Sequence, residues 1–477
     1  MKVLVIGAGI AGLAVSCRLA ARGHKVTLLE KNDDVGGKIS TIKKDGFTWD
    51  GGPSFFTNPE ELALLFTDCG KNLGDYFRWF ELDEACRYFY SDTVVYGYDT
   101  PVALAKEFEK KFSEPKENTL RFLKDVAKLY DSAGQQFLNE PVTIQSLFSV
   151  RTVRNILRLP RHSLGSKLHE MHKRYFKSDR TVQFFDRFAT YVGGNPYKTP
   201  GMLMAMPHLE HNLGAVQPKG GMRAIIRAVA KLAEELGVVV LMNQEVISVK
   251  NEHKKIKNVY TKDTVYTSDI VINAGDVANM YKMTNLKKYK RHSKKEHSLS
   301  GYVQYLGVRG KTDSLYLHNI LFSDDYEAET KSLWAGEVYN DPTIYINNTS
   351  LYENRDAPKN CENWFVMVNV PCGFDEEKLE HLQSVVQCKL EKYFPGITSR
   401  IKIQAEALAP SILSEKYRAH KGSIYGLAAN SIRGAFLRPK NRDKKIKNLY
   451  HVGVTAHPGG GIPLALRSAK IVSEMIN

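Results

Sequence analysis

Residues 2–38 read KVLVIGAGIAGLAVSCRLAARGHKVTLLEKNDDVGGK. Val3, Leu4, Val5 and Ile6 form a short apolar run suited to a buried parallel strand. Gly7, Gly9 and Gly12 follow as G-x-G-x-x-G, with Ala11 inside the motif. Leu13, Val15, Leu19 and Ala20 then recur at helical spacing, and Gly23 suits a helix stop. Residues 26–29 predict a second strand, and Glu30 stands at its end.

Each part has a mechanical reason. Gly7 allows the tight turn, Gly9 lets backbone approach a pyrophosphate, and Gly12 lets the helix pack close to the strand. The helix N-terminus offers free N–H groups and a positive dipole end to phosphates. Glu30 lies 18 residues after Gly12, where an acidic side chain grips ribose hydroxyls. A lone G-x-G-x-x-G is weak evidence, but here strand, helix and acid are all in place. The same residues could be read as a signal peptide with a lipoprotein-type Cys17. Three glycines in the apolar part, and the direct continuation into a strand and Glu30, argue against that.

The chain has 477 residues, enough for two domains or one large composite one, and 43% of them are hydrophobic. That excludes wholesale disorder. Cys17, Cys69, Cys86, Cys361, Cys372 and Cys388 are scattered without a C-x-x-C, which suits free thiols in a reducing compartment. No apolar run is long enough to span a membrane. A net charge of +15 favours an anionic partner, a membrane surface or nucleic acid. No nucleic-acid motif is present.

Further on, Val35-Gly36-Gly37-Lys38 suits a loop around a cofactor, with Lys38 able to offset phosphate charge. Asp50-Gly51-Gly52-Pro53-Ser54-Phe55 ends a predicted strand in a tight turn. Residues 59–69, 101–137 and 375–392 predict helices, and residues 76–98 an aromatic-rich sheet. Pro218-Lys219-Gly220-Gly221-Met222 opens a helix that Gly237 ends. Strands are predicted at 238–241, 245–249 and 269–276, with an antiparallel run through 267. Residues 299–415 read as strands and loops with the one helix at 375–392.

These features resemble the flavin-dependent amine oxidase and carotenoid desaturase superfamily. The resemblance rests on the N-terminal fingerprint, Glu30, the Gly36-Gly37-Lys38 step, D-x-G-P, P-x-G-G-M and the V-I-N-A-G-D strand at 271–276. It implies FAD rather than NAD, and only one G-x-G-x-x-G exists in the chain. It implies an α/β fold: a Rossmann-type FAD-binding domain (glutathione-reductase-like, p-hydroxybenzoate-hydroxylase-like topology) with a mixed α+β substrate domain. Residues 1–75, 214–280 and 420–477 would form the discontinuous FAD-binding domain. Residues 76–213 and 281–419 would form the substrate and membrane-associating domain.

The last stretch is the most specific. Asn448-Leu449-Tyr450-His451-Val452-Gly453 leads to His457-Pro458-Gly459-Gly460-Gly461-Ile462-Pro463, whose glycines open the final helix. This pattern resembles bacterial and fungal-type carotenoid desaturases. The continuation Pro463-Leu464-Ala465-Leu466, in place of P-G-V, resembles the branch that desaturates hydroxylated carotenoids at the 3,4 bond. The implied cofactor set is Gly7, Gly9, Ala11, Gly12, Glu30, Lys31, Gly37, Lys38, Gly52, Pro53, Ser54, Phe55, Val246, Ala274, Asp276, Gly453, Gly461, Ile462 and Pro463.

The implied activity introduces a C=C bond next to a conjugated polyene, by hydride transfer to flavin N5 and proton loss. The expected bond is the 3,4 bond of a 1-hydroxycarotenoid. Alternatives are a phytoene desaturase, or a carotenoid isomerase using reduced FAD. Asp50 and His457 stand in cofactor-near motifs, and no catalytic base is assigned. Oxygen or a quinone would reoxidise the flavin. An amine oxidase is disfavoured by the H-P-G-G-G-I-P ending and by the absence of cysteine in residues 400–477. A lipid-binding escort without cofactor is disfavoured by the intact glycine motif and Glu30.

Residues 151–175 carry seven lysines and arginines against Glu170, interleaved with apolar residues. Such a segment suits a lipid headgroup layer, implying a cytoplasmic protein peripherally attached to the inner membrane. A second basic stretch at 281–295 reads as a solvated loop. Two H-x-x-H pairs, His169/His172 and His208/His211, lack a third ligand and do not predict a metal.

Overall fold

The computed structural model describes residues 1–134 and 165–476. Residues 151–164 of the basic segment and the end of the helix predicted over 101–137 lie outside the described residues.

Five parallel strands form one sheet, in the order Val239–Leu241, Lys25–Leu29, Lys2–Ile6, Ile270–Asn273, Leu449–His451. The N-terminal strand is central, with Val5 opposite both Leu28 and Ile272. A strand covered on both faces must be apolar on both, which explains its unbroken run. Helices Ile10–Ala21, Arg223–Glu235 and Ile462–Met475 pack on one face around Leu13, Val229 and Leu466. A small antiparallel sheet of Ser248–Glu252, Lys255–Tyr260 and Val265–Tyr266 covers the other face. The chain runs outward from the central strand to one edge, then returns to build the other edge. A ligand crevice is expected at the carboxyl ends of the strands where that order reverses.

The second sheet has seven strands, in the order Ile401–Leu408, Ser300–Arg309, Cys361–Val370, Ile344–Asn348, His318–Leu321, Glu84–Phe89, Val94–Tyr98. All neighbours pair antiparallel except His318–Leu321 with Glu84–Phe89, which are parallel. Buried aromatic and helical residues around Phe108, Phe122, Phe184 and Phe185 pack on its flank. The aromatic-rich stretch at 76–98 is therefore mainly core, with Tyr88 fully buried.

Three sequence expectations change. The helix predicted over 101–137 is two, Pro101–Phe112 and Lys116–Leu129. Ser113 at φ 54° ends the first, and Pro115 prevents continuation. The strand expected at 245–249 starts later, at Ser248–Glu252. A helix over Tyr326–Ala335 interrupts the strands and loops read at 299–415. Its buried face holds Tyr326, Glu329, Thr330 and Leu333, so two polar residues replace the apolar stripe that marks a helix in sequence.

Candidate cofactor and substrate site

The strand ends converge on a cavity of about 1100 Å³, with mostly apolar walls. Drug-sized pockets run to about 1,000 Å³, so it has room for a dinucleotide. Every residue of the implied cofactor set lines it except Gly12. Gly12 acts from behind: a Cβ there would stand 2.0 Å from the Gly7 carbonyl oxygen. Gly9 is the uncapped N-terminal residue of the helix Ile10–Ala21, and a Cβ there would meet nothing within 4 Å. That empty space faces the cavity, as close phosphate approach requires. Gly461, at φ 99°, is the uncapped N-terminal residue of Ile462–Met475. Two helix N-termini thus open on one cavity.

Glu30 is 5% exposed and holds the glycine turn in place. Its Oε2 accepts the Ala8 N–H at 2.7 Å, and its Oε1 accepts the Asn32 N–H at 3.0 Å. Lys38 borders the cavity but donates to the Ile424 carbonyl at 2.8 Å, tying the N-terminal loop to the C-terminal region. Burial lowers its pKa to about 8, partly offset by Asp276. Lys31 donates to the Glu415 carbonyl. Asp276 accepts the Ala278 and His420 N–H groups. Val246 and Ala274 both line the cavity.

The Gly52-Pro53-Ser54-Phe55 loop joins this half to the seven-stranded sheet. A Cβ at Gly52 would stand 2.1 Å from the Lys38 carbonyl oxygen. Ser54 shares a hydrogen bond with the Tyr345 hydroxyl at 2.9 Å, and the Phe55 ring packs edge-on against His318 at 4.6 Å. Beyond this loop the cavity is lined by Arg187, Tyr191, Glu210, Ile320, Glu329, Leu333 and Trp334.

Neither Asp50 nor His457 lines the cavity. Asp50 is buried behind the wall, where its Oδ1 accepts the Met222 N–H at 2.9 Å. The H-x-x-H pairs are structural: His169 and His172 both bond Asp186, and His211 bonds the Tyr98 carbonyl. Among the described residues no group of three metal-ligating side chains occurs.

Sequence reading missed Glu329, Arg187 and Glu210. Burial pushes the Glu329 carboxyl up to about 7 from 4.5, against the opposing hydrogen bonds from Thr343 and the charge of Lys389. A carboxyl that holds its proton more tightly when folded adds stability below its unfolded value. That stability is lost as pH rises through the folded one. Glu329→Gln is therefore expected to flatten the decline in thermal stability between pH 4.5 and about 7. The effect is about 3 kcal/mol at most, and Asp50, also raised to about 7, accounts for a parallel share. A pH series of melting temperatures for both proteins checks this, and identical slopes would contradict the assignment.

The parallel sheet, the glycine turn and the two open helix ends define a dinucleotide-binding oxidoreductase. The profile described as "Flavin containing amine oxidoreductase" matches residues 10–477. A "1-hydroxycarotenoid 3,4-desaturase" from a Flavobacterium species is 37% identical, over all of this chain and 99% of its own length. A "4,4'-diapophytoene desaturase (4,4'-diaponeurosporene-forming)" from Staphylococcus aureus is 30% identical over the same shares. Among solved structures, an oxidoreductase from Methanosarcina mazei aligns with a TM-score of 0.66 at 17% identity. That alignment covers 99% of this chain and 100% of the other, and it shows the fold. The chain belongs to the flavin-containing amine oxidoreductase family, in its carotenoid desaturase group, and its cofactor is FAD.

Proposed function

We propose that this protein is an FAD-dependent carotenoid desaturase, acting on the 3,4 bond of a 1-hydroxycarotenoid. The observation that carries the reading is one continuous cavity that joins a dinucleotide crevice to an apolar extension. Its bearing on substrate comes from the 37% identity to the 1-hydroxycarotenoid enzyme over the whole chain.

Residues 1–75, 214–280 and 420–477 are assigned to FAD binding, and residues 76–213 and 281–419 to the substrate. Gly9 and Gly461 would present backbone amides to the phosphates, with Glu30 at the ribose; the Gly7 N–H instead donates to the Leu29 carbonyl at 2.7 Å and fixes the turn. When bound, FAD supplies the two-electron acceptor for the C–H bond being oxidised. The chain's own task is orientation and dryness. A polyene cation spreads its charge over many carbons and needs no strong counter-charge, so apolar walls suffice along most of its length. Loss of a proton completes the double bond. Reoxidation would be by oxygen or a membrane quinone.

Among the described residues no helix is long and apolar enough to cross a membrane. Peripheral attachment to the inner membrane from the cytoplasm is proposed from the substrate's solubility and from the basic residues at 151–175.

The decisive experiment is an anaerobic titration of FAD-loaded protein with carotenoids in liposomes, following flavin bleaching and polyene absorption together. Bleaching with a red-shifted polyene is the expected result, strongest for 1-hydroxycarotenoids. A polyene change that needs chemically reduced flavin, without net oxidation, would replace the desaturase with an isomerase.

A further inference from the structure

Arg187 is the anomaly of the apolar extension. It is 6% exposed and lines the cavity. Its guanidinium sits among three aromatic rings, 5.0 Å from the centre of Tyr191, 5.5 Å from Tyr88 and 5.6 Å from Phe188. Nη2 donates to the Tyr191 hydroxyl at 2.7 Å and the Tyr88 hydroxyl at 3.3 Å. Those hydroxyls donate in turn to Glu210, Tyr191 to Oε2 at 3.2 Å and Tyr88 to Oε1 at 3.1 Å. Two phenols therefore stand between the cation and the carboxylate. Among the described residues no carboxylate lies within ion-pair distance of Arg187, and neither Nε nor Nη1 has an acceptor.

Burying a guanidinium costs several kcal/mol unless partners replace its water. A hydrocarbon polyene offers it nothing. The Glu329 carboxyl, also in this part of the cavity, differs in this respect. Both Glu329 oxygens are already engaged, by the Thr343 N–H at 2.7 Å and its hydroxyl at 2.6 Å. Arg187 keeps charged donors in reserve, as Trp334 keeps its neutral indole N–H, and Glu210 beside Arg187 lines the same cavity and keeps acceptor capacity.

We infer that Arg187, Tyr191 and Glu210 form the recognition site for a hydroxyl group at the end of the polyene. This rests on the carotenoid reading above. A hydroxyl accepts from the guanidinium and donates to Glu210, so it satisfies both members of the cluster. A carbonyl end can only accept, and a carboxylate end is repelled by Glu210. A hydrocarbon end leaves the buried charges as they are. Discrimination follows, because a site built to hydrogen-bond a hydroxyl rejects analogues that lack it.

The test uses FAD-loaded wild type, Arg187→Met, Arg187→Lys and Tyr191→Phe. Affinity is read from polyene absorption in liposomes, separately from turnover. The probes are a 1-hydroxycarotenoid and the parent hydrocarbon. Wild type is expected to bind the hydroxylated polyene at least tenfold more tightly than the hydrocarbon. Arg187→Met should cut that ratio by roughly tenfold or more, with Tyr191→Phe intermediate. Should Arg187→Met fail to load FAD, the ratio for Arg187→Lys decides, since lysine keeps the charge but not the fork. A variant that loads FAD and binds both polyenes more weakly by one factor would make Arg187 merely structural and overturn the inference. Because the readout is binding, a wild type that prefers the hydroxylated polyene but oxidises none would upset the desaturase reading and leave this site standing.

Discussion

Gly12→Ala is expected to yield no flavin-loaded protein, whereas Gly9→Ala folds normally and binds FAD weakly. The two glycines sit in one motif and look interchangeable in sequence. Their surroundings differ. At Gly12 the added carbon would stand 2.0 Å from the Gly7 carbonyl oxygen and 3.1 Å from the Ala274 Cβ. The first obstacle is backbone, in a turn between a central strand and a buried helix, so no side chain can swing away. Ordinary overpacking costs about 1–3 kcal/mol, and a backbone clash at this distance exceeds it. At Gly9 the φ of −69° suits any residue, and the added carbon meets no protein atom. What it meets is the space the phosphates need. We expect an unchanged apoprotein melting temperature and a dissociation constant for FAD raised roughly 10²-fold, equivalent to about 2.7 kcal/mol. Flavin fluorescence titration and apoprotein melts measure both. Normal FAD affinity in Gly9→Ala would remove the phosphates from this helix end.

Arg438→Met is the second large effect. Arg438 is 6% exposed and makes no ion pair among the described residues; burial lowers its pKa to about 10, so it stays charged at neutral pH. It donates to the Tyr425 carbonyl at 2.9 Å, the Val454 carbonyl at 3.2 Å and the Leu427 carbonyl at 3.0 Å. Its Nε would stand 3.4 Å from a Cβ at Gly459. One guanidinium thus fastens the 425–427 segment to the strand end that leads into Gly459-Gly460-Gly461. Methionine fills much of the volume but leaves three carbonyls unpaired, that of Leu427 buried and those of Tyr425 and Val454 partly buried. Hydrogen bonds to charged groups contribute about 1.5–3 kcal/mol each, so a loss on the order of 4 kcal/mol is expected, together with poor flavin retention. Arg438→Lys should recover a minority of it, since an ammonium cannot span the fork. Full flavin content and wild-type stability in Arg438→Met would refute the role.

Much of the cofactor half was readable before any coordinates. Phosphates are held by backbone amides at fixed offsets along one turn, so Gly7, Gly9 and Gly12 announce themselves by spacing alone. The same holds for Gly459-Gly460-Gly461, where a Cβ at Gly460 would come within 2.3 Å of the Tyr425 ring. Roles within those motifs were less readable. Lys38, read as able to offset phosphate charge, lines the cavity and also reaches the Ile424 carbonyl, 386 residues away, a contact no motif signals. Asp50 and His457 stood in the right motifs and lie behind the cavity wall.

By itself the sequence determined the fold class, the dinucleotide crevice and the family, because each depends on local patterns: a two-sided apolar strand, a glycine turn, a helix start. The tertiary structure alone decided what lines the apolar extension of the cavity. Arg187 and Glu210, which line it, come from a 3-10 helix and a short α-helix, and only the sheet pairing of Glu84–Phe89 brings Tyr88, which does not line it, to both. Glu329 belongs to a helix that buries two polar residues, Glu329 and Thr330, beside Tyr326 and Leu333. A cavity wall is assembled from side chains whose sequence neighbours face elsewhere, so it leaves no periodic trace along the chain.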